Sequence, residues 1–153
     1  MQPDQYFSGE ITVILADGTR LPAKVVADEI IEAGKEIHKI SFELDGDVKT
    51  VESERDFFEA LRLLRLDLEK TGALLCCFGA SENVYPSGMQ RDMSPAVLAY
   101  KMTLGAPALN RDIVNIFESD GSVVPSTVEQ QERFREKWFE SLSTRRSDGK
   151  SGD

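Results

Sequence analysis

Hydrophobic and polar residues alternate through most of the first third of the chain. From Glu10 to Ala16 the apolar positions Ile11, Val13 and Leu15 share one face, and Asp17-Gly18 then signals a hairpin turn. Leu21, Ala23 and Val25 repeat the pattern from Arg20 to Val26. Pro22 has no N–H to donate, which assigns this second strand to a sheet edge or to a bulge. Asp28 to Glu36 prolongs it to a turn at Ala33-Gly34. Ile37 to Leu44, with His38, Ile40, Phe42 and Leu44 on one side, and Val48 to Glu52 form a second hairpin around Asp45-Gly46-Asp47. The pattern predicts a four-stranded meander.

The period then changes from two to about 3.6. Ser53 can cap a helix whose first turn holds Glu54 and Asp56, acids suited to the positive end of the dipole, and Gly72 supplies the stop. Phe57, Ala60, Leu61, Leu64 and Leu68 fall on one stripe of this helix, whereas Leu66 projects from the opposite side among charged residues. Ala73 to Phe78 is a continuous apolar run ending at Gly79, the pattern of a strand buried on both faces in the middle of a sheet. It empties into a long polar segment, Ala80 to Ser94. Two further strands are predicted over Ala96–Leu104 and Asp112–Glu118. Ser126 and Glu129 have capping-box spacing for a last helix running to about Ser143, which buries Val128, Phe134, Trp138, Phe139 and Leu142. Its neighbouring strip carries Glu129, Glu132, Glu136 and Glu140. Arg135 falls within the apolar face, where its stem packs and its guanidinium seeks a carboxylate or a carbonyl.

These elements, in 153 residues of which 41% are hydrophobic, predict one α+β domain with an antiparallel sheet of about six to seven strands and two helices packed on it. A polar lead over residues 1–8 and a small-and-charged tail over 144–153 are expected to be disordered, leaving 9–143 as the domain. The longest apolar run is far short of the roughly 20 residues of a membrane span, and Met-Gln-Pro-Asp-Gln-Tyr lacks the parts of a secretory signal. A cytoplasmic location is the expectation.

Charge narrows the choice of partner. The net charge is −9, and residues 1–60 hold 14 Asp and Glu against 6 Lys and Arg. Such a field repels nucleic acid and anionic membrane and steers cationic partners inward.

The inventory for catalysis is thin. The one histidine, His38, sits on a strand face with Ile40 and Phe42. Cys76 and Cys77 are adjacent, so they point to opposite faces of a strand and are poorly placed to pair; they read as reduced core residues. One histidine and two back-to-back cysteines build no four-ligand zinc site of the usual spacing. Pro86-Ser87-Gly88 lacks the flanks of a nucleophile elbow, no phosphate-binding glycine loop occurs, and the carboxylate pairs Asp45 with Asp47 and Asp28 with Glu29 read as surface acids. No cofactor, metal or catalytic residue is expected.

The 80–94 segment carries a different signal. Tyr85, Met89, Arg91 and Met93 are of the types enriched where proteins meet. They also allow another reading, with Tyr85, Met89 and Met93 folded back over the sheet and Arg91 and Asp92 pinning the loop. In size, acidity and paucity of catalytic groups the chain resembles the small immunity proteins with which bacteria neutralise toxins. The resemblance implies a basic toxin domain as partner, met either by Glu43, Asp45, Asp47, Glu52, Asp56 and Glu59 or by the strip Glu129, Glu132, Glu136 and Glu140. Tyr85, Met89 and Leu66 would be the anchors. Two other classes fit the pattern: an adaptor or chaperone for a secreted effector, and a small enzyme or ligand binder with a pocket lined by Cys77, Tyr85 and Tyr100.

Overall fold

A computed structural model describes residues 3–93 and 95–151, with side chains through Ser143. The meander is present as β1 (Asp4–Ile14), β2 (Arg20–Glu32), β3 (Lys35–Leu44) and β4 (Asp47–Ser53), joined by the three predicted turns. Two of these are two-residue turns in which both central residues have positive φ, Ala33 with Gly34 (52° and 78°) and Asp45 with Gly46 (50° and 84°). That geometry matches the twist of the flanking strands. β1 begins at Asp4, inside the polar lead, and its pairing with β2 slips between Gln5 and Phe7. The bulge leaves Tyr6 out of the ladder.

The apolar run 73–79 is not a central strand. Only Leu74–Cys76 form a strand, β5, and it pairs with β1 at one edge of the sheet, whose order is β4-β3-β2-β1-β5. The run is buried by what lies over it. Helix α1 (Phe57–Glu69) packs on β3, β4 and β5, and after Cys77 the chain turns into a short 3-10 segment, Phe78–Ala80. There the Phe78 and Gly79 amides donate to the carbonyls of Glu118 and Ile116. β2 occupies the middle of the sheet, contrary to the edge placement drawn from Pro22. The proline is tolerated because β3 joins β2 only from Lys24 onward, so Pro22 has β1 alone beside it.

The remaining strands form a second sheet. β6 (Val84–Tyr85), β7 (Leu98–Lys101) and β8 (Ile113–Asn115) are antiparallel in the order β6-β7-β8, with a short helix α2 (Gly88–Met93) between the first two. The fold is thus α+β, with eight strands in two sheets and three helices among the described residues where one sheet and two helices were expected. One apolar cluster joins the layers: Val13, Val25, Ile40 and Phe42 of the large sheet meet Phe57, Leu61 and Leu64 of α1, and Ile116 and Phe117 beyond β8.

Both helix starts lie downstream of their predicted caps. Ser53 belongs to β4, and Asp56 caps α1 by accepting the Glu59 N–H at 2.7 Å. The last helix, α3 (Val128–Ser151), has its reciprocal cap one residue later than predicted: Thr127 Oγ1 accepts from the Gln130 amide, and Gln130 Oε1 from the Thr127 amide. Phe139, expected in the buried face, is 49% exposed. The expected disordered tail, 144–153, falls outside the described side chains. Among the described residues no helix is long and apolar enough to cross a membrane.

Gly79 shows how tightly the layers meet. A Cβ at this position would stand 2.5 Å from Leu61 Cδ2 and 2.9 Å from Ile116 Cβ. Gly79→Ala is therefore expected to lower stability by about 1 to 3 kcal/mol through overpacking, measured as a shift of the urea midpoint at unchanged slope. A neutral substitution would mean that α1 and the 78–80 turn can separate at no cost.

Candidate functional site

Sequence reasoning placed the partner-binding groups on the 80–94 segment, on the turn acids and on α3. The structure brings Tyr85 and α3 together and separates the rest. Between β6, the start of α2, β7 and α3 lies a groove of about 280 Å³ lined by Tyr85, Tyr100, Met102, Arg135, Trp138 and Phe139. Its lining is chiefly apolar and aromatic.

Tyr85 is held by local chemistry. Its ring sits edge-on to Phe58 at 4.9 Å, and the Arg135 guanidinium covers it at 4.5 Å from the ring centre. Arg135 also lies 5.1 Å from the Phe139 ring, so its guanidinium stands between two aromatics. Trp138 donates its indole N–H to the Ala106 carbonyl at 2.9 Å, fixing α3 against the 102–108 turn. Glu132, Glu136 and Glu140 recur at i, i+4 spacing on α3, the last two exposed, three residues before and one after Phe139.

Other predicted residues lie elsewhere. Met89 and Met93 are 71% and 79% exposed on α2, a helix with no buried residue, so neither folds back over a sheet. Arg91 is turned inward, giving two hydrogen bonds to Asp56 (Nε–Oδ2 2.9 Å, Nη2–Oδ1 3.2 Å). Asp56 is fully buried. Glu59 is drawn to Arg62 at 3.2 Å. Glu129 pairs with Arg133, and Glu132 approaches Arg62 at 3.6 Å. Asp45 and Asp47 are exposed at the β3–β4 turn, and Leu66 is 39% exposed on α1. Of the expected small-molecule pocket, Tyr85 and Tyr100 line the groove and Cys77 does not.

Cys77 is enclosed, and desolvation pushes its thiol up to about 11 against the opposing pull of the Arg65 charge. It is a thiol at neutral pH, with no access for a substrate. Both cysteines are free.

Two groups escaped sequence reasoning. Arg65 and Gln131 are buried polar residues joined across α1 and α3. Glu29, Glu36 and His38 converge at the far end of the large sheet, their donor atoms all within 4.8 Å of one another. Hydrophobic periodicity does not name the first pair as partners, although Arg65 has the spacing of the apolar stripe of α1. The second set could have been found by counting outward from the Ala33-Gly34 turn, which places Glu29 opposite His38.

Comparison with protein-family models gives no match, and comparison with curated proteins gives none either.

Proposed function

We propose that the chain is a protein-binding module without chemistry of its own, of the immunity type, whose partner is a basic bacterial toxin domain. The observation that carries this reading is the aromatic groove, walled by the same helix that bears the acidic strip. Trp, Tyr and Arg are the residue types that dominate binding hot spots, and a groove of this size accepts one large apolar side chain. Glu132, Glu136 and Glu140 on the same helix would steer a cationic surface toward it.

The partner-binding roles divide accordingly. Tyr85, Trp138 and Phe139 form the anchor pocket, and the α3 acids set the rate of encounter. Asp45 and Asp47, at the exposed β3–β4 turn, add to the long-range field.

The test is a binding measurement on the basic protein that co-purifies with the chain from its source. Reversing Glu132, Glu136 and Glu140 to Lys is expected to slow association about tenfold or more and to flatten its salt dependence. Phe139→Ala, at a half-exposed position, is expected to accelerate dissociation and weaken affinity about 10- to 30-fold. Association that is independent of salt, or affinity untouched by both changes, would overturn the reading. A captured partner that is an acidic secreted protein would point instead to escort of an effector.

A further inference from the structure

The core face of the large sheet ends in a polar corner. Past Ala27 and Ile40, β2 and β3 present Glu29 and His38 directly across from each other, and Glu36 lies two residues before His38 on the same face. The corner opens into a cleft of about 360 Å³, bordered by Tyr6 from the β1 bulge and by Arg55.

His38 is 3% exposed, and both of its ring nitrogens meet oxygen. Nδ1 lies 3.0 Å from the Ser53 carbonyl, which can only accept, so Nδ1 carries a proton. In the neutral ring this leaves a lone pair on Nε2. That lone pair points at Glu29 Oε2, another acceptor, 3.1 Å away. Two acceptors at this distance need a cation shared between them.

The shared cation is either a proton or a metal ion. The 3.1 Å between Nε2 and Oε2 is an ordinary N–H···O distance and is also near the roughly 3.3 to 3.4 Å that separates two ligands on one tetrahedral zinc-like ion, so the distance fits both cations. Two features favour the metal. A proton would leave Glu36 without a role, although its carboxylate is within 4.8 Å of the other two groups. Moreover, a ring N–H held by a backbone carbonyl is the arrangement that fixes the tautomer of ligating histidines. The corner is electronegative as well: the Tyr6 phenol is raised by partial burial and then by Glu29, Asp4 and Glu36. The cations nearby are Arg55, which is largely exposed at the rim, and Arg91, which is engaged by Asp56.

We infer that His38 Nε2 and the carboxylates of Glu29 and Glu36 form a binding site for one divalent ion of the zinc class, with its remaining positions open to water in the cleft. An imidazole with two carboxylates suits zinc, whereas magnesium and calcium prefer an all-oxygen shell. The site shares no residue with the groove and stands whether or not the proposed partner exists.

The experiment uses the tag-free full chain, stripped with chelator and titrated calorimetrically with ZnCl₂ and, in parallel, with MgCl₂. One equivalent of zinc is expected to bind and to raise the thermal midpoint, with no comparable effect of magnesium. Glu36 is exposed, so Glu36→Gln leaves folding intact and is expected to weaken zinc binding about tenfold or more. His38→Ala is expected to abolish it, and if that variant does not fold, Glu29→Gln combined with Glu36→Gln replaces it. Absence of zinc binding, or binding unchanged by Glu36→Gln, would overturn the site and leave the Glu29–His38 contact as a proton-bridged pair.

Discussion

Gln131→Ala is expected to destabilise the fold by about 3 to 5 kcal/mol, far more than a half-turn of surface helix would suggest. Gln131 is 1% exposed. Its carboxamide oxygen accepts from Arg65 Nη1 at 2.6 Å, and its Nε2 donates toward the carbonyls of Gly79, Ser81 and Val84 at 2.9 to 3.0 Å. Arg65 is as deeply enclosed, and its other hydrogen bonds also go to neutral oxygens, Gly79 O and Ser126 O at 3.1 Å. Desolvation is the main influence on this guanidinium and lowers its pKa, partly opposed by Cys77, Glu69 and Glu132, yet arginine remains charged at any ordinary pH. One cation is thus solvated by the backbone and by a single amide. Removing that amide strips an acceptor from a buried charge and a donor from three buried carbonyls, each loss costing about 1 to 3 kcal/mol and not fully additive. Urea unfolding of Gln131→Ala, Arg65→Met and the double variant checks this. The cycle is expected to show coupling above about 1 kcal/mol; a Gln131→Ala loss below that figure would mean that water replaces the amide and the hub is not closed.

Much of the fold was legible because it rests on short-range rules. Asp17-Gly18, Ala33-Gly34 and Asp45-Gly46 each turn the chain at a glycine of positive φ, and the stripe Phe57, Ala60, Leu61, Leu64 and Leu68 is buried to the last residue. What failed depended on layers. An apolar run such as Ala73–Phe78 reports that it is covered, not by what, so an edge strand beneath a helix reads like a central one. Ser53 and Ser126 were taken as caps for their side chains. Ser53 is instead the residue of β4 that pairs with His38, and Ser126 Oγ donates to the Ala80 carbonyl. The candidate groove was half legible: Tyr85, Tyr100 and the apolar face of the last helix were singled out, but their meeting between the small sheet and α3 was not. Arg65 has the spacing of the apolar stripe, which was the available hint that its charge is buried.

Asp56→Ala is expected to cost a similar amount, about 3 to 5 kcal/mol, for a different reason. The Asp56 carboxylate is fully buried yet serves two elements at once: Oδ1 caps α1 through the Glu59 amide, and both oxygens receive the Arg91 guanidinium. Loss of a cap alone costs about 1 kcal/mol; the larger figure comes from leaving the largely buried Arg91 over the Phe58 ring with its two close hydrogen bonds gone and Glu59, 3.9 Å away, as the remaining acid. Asp56→Asn keeps the cap and the volume, so it is expected to lose less than the alanine variant, and the difference measures the ion pair. The same pair explains how α2 is held. Six residues with no buried side chain have little apolar attachment, and Arg91 ties them to the start of α1. Arg91→Ala is therefore expected to raise amide exchange across Gly88–Met93 while β2 and β3 keep their protection. Because Ser87 and Gly88 wall the groove and Phe58 supports Tyr85, this release should also weaken binding of the proposed partner without touching a residue of the proposed anchor pocket. Unchanged exchange in α2 would show that the helix is retained by something other than the pair, and the link between Arg91 and the groove would fall with it.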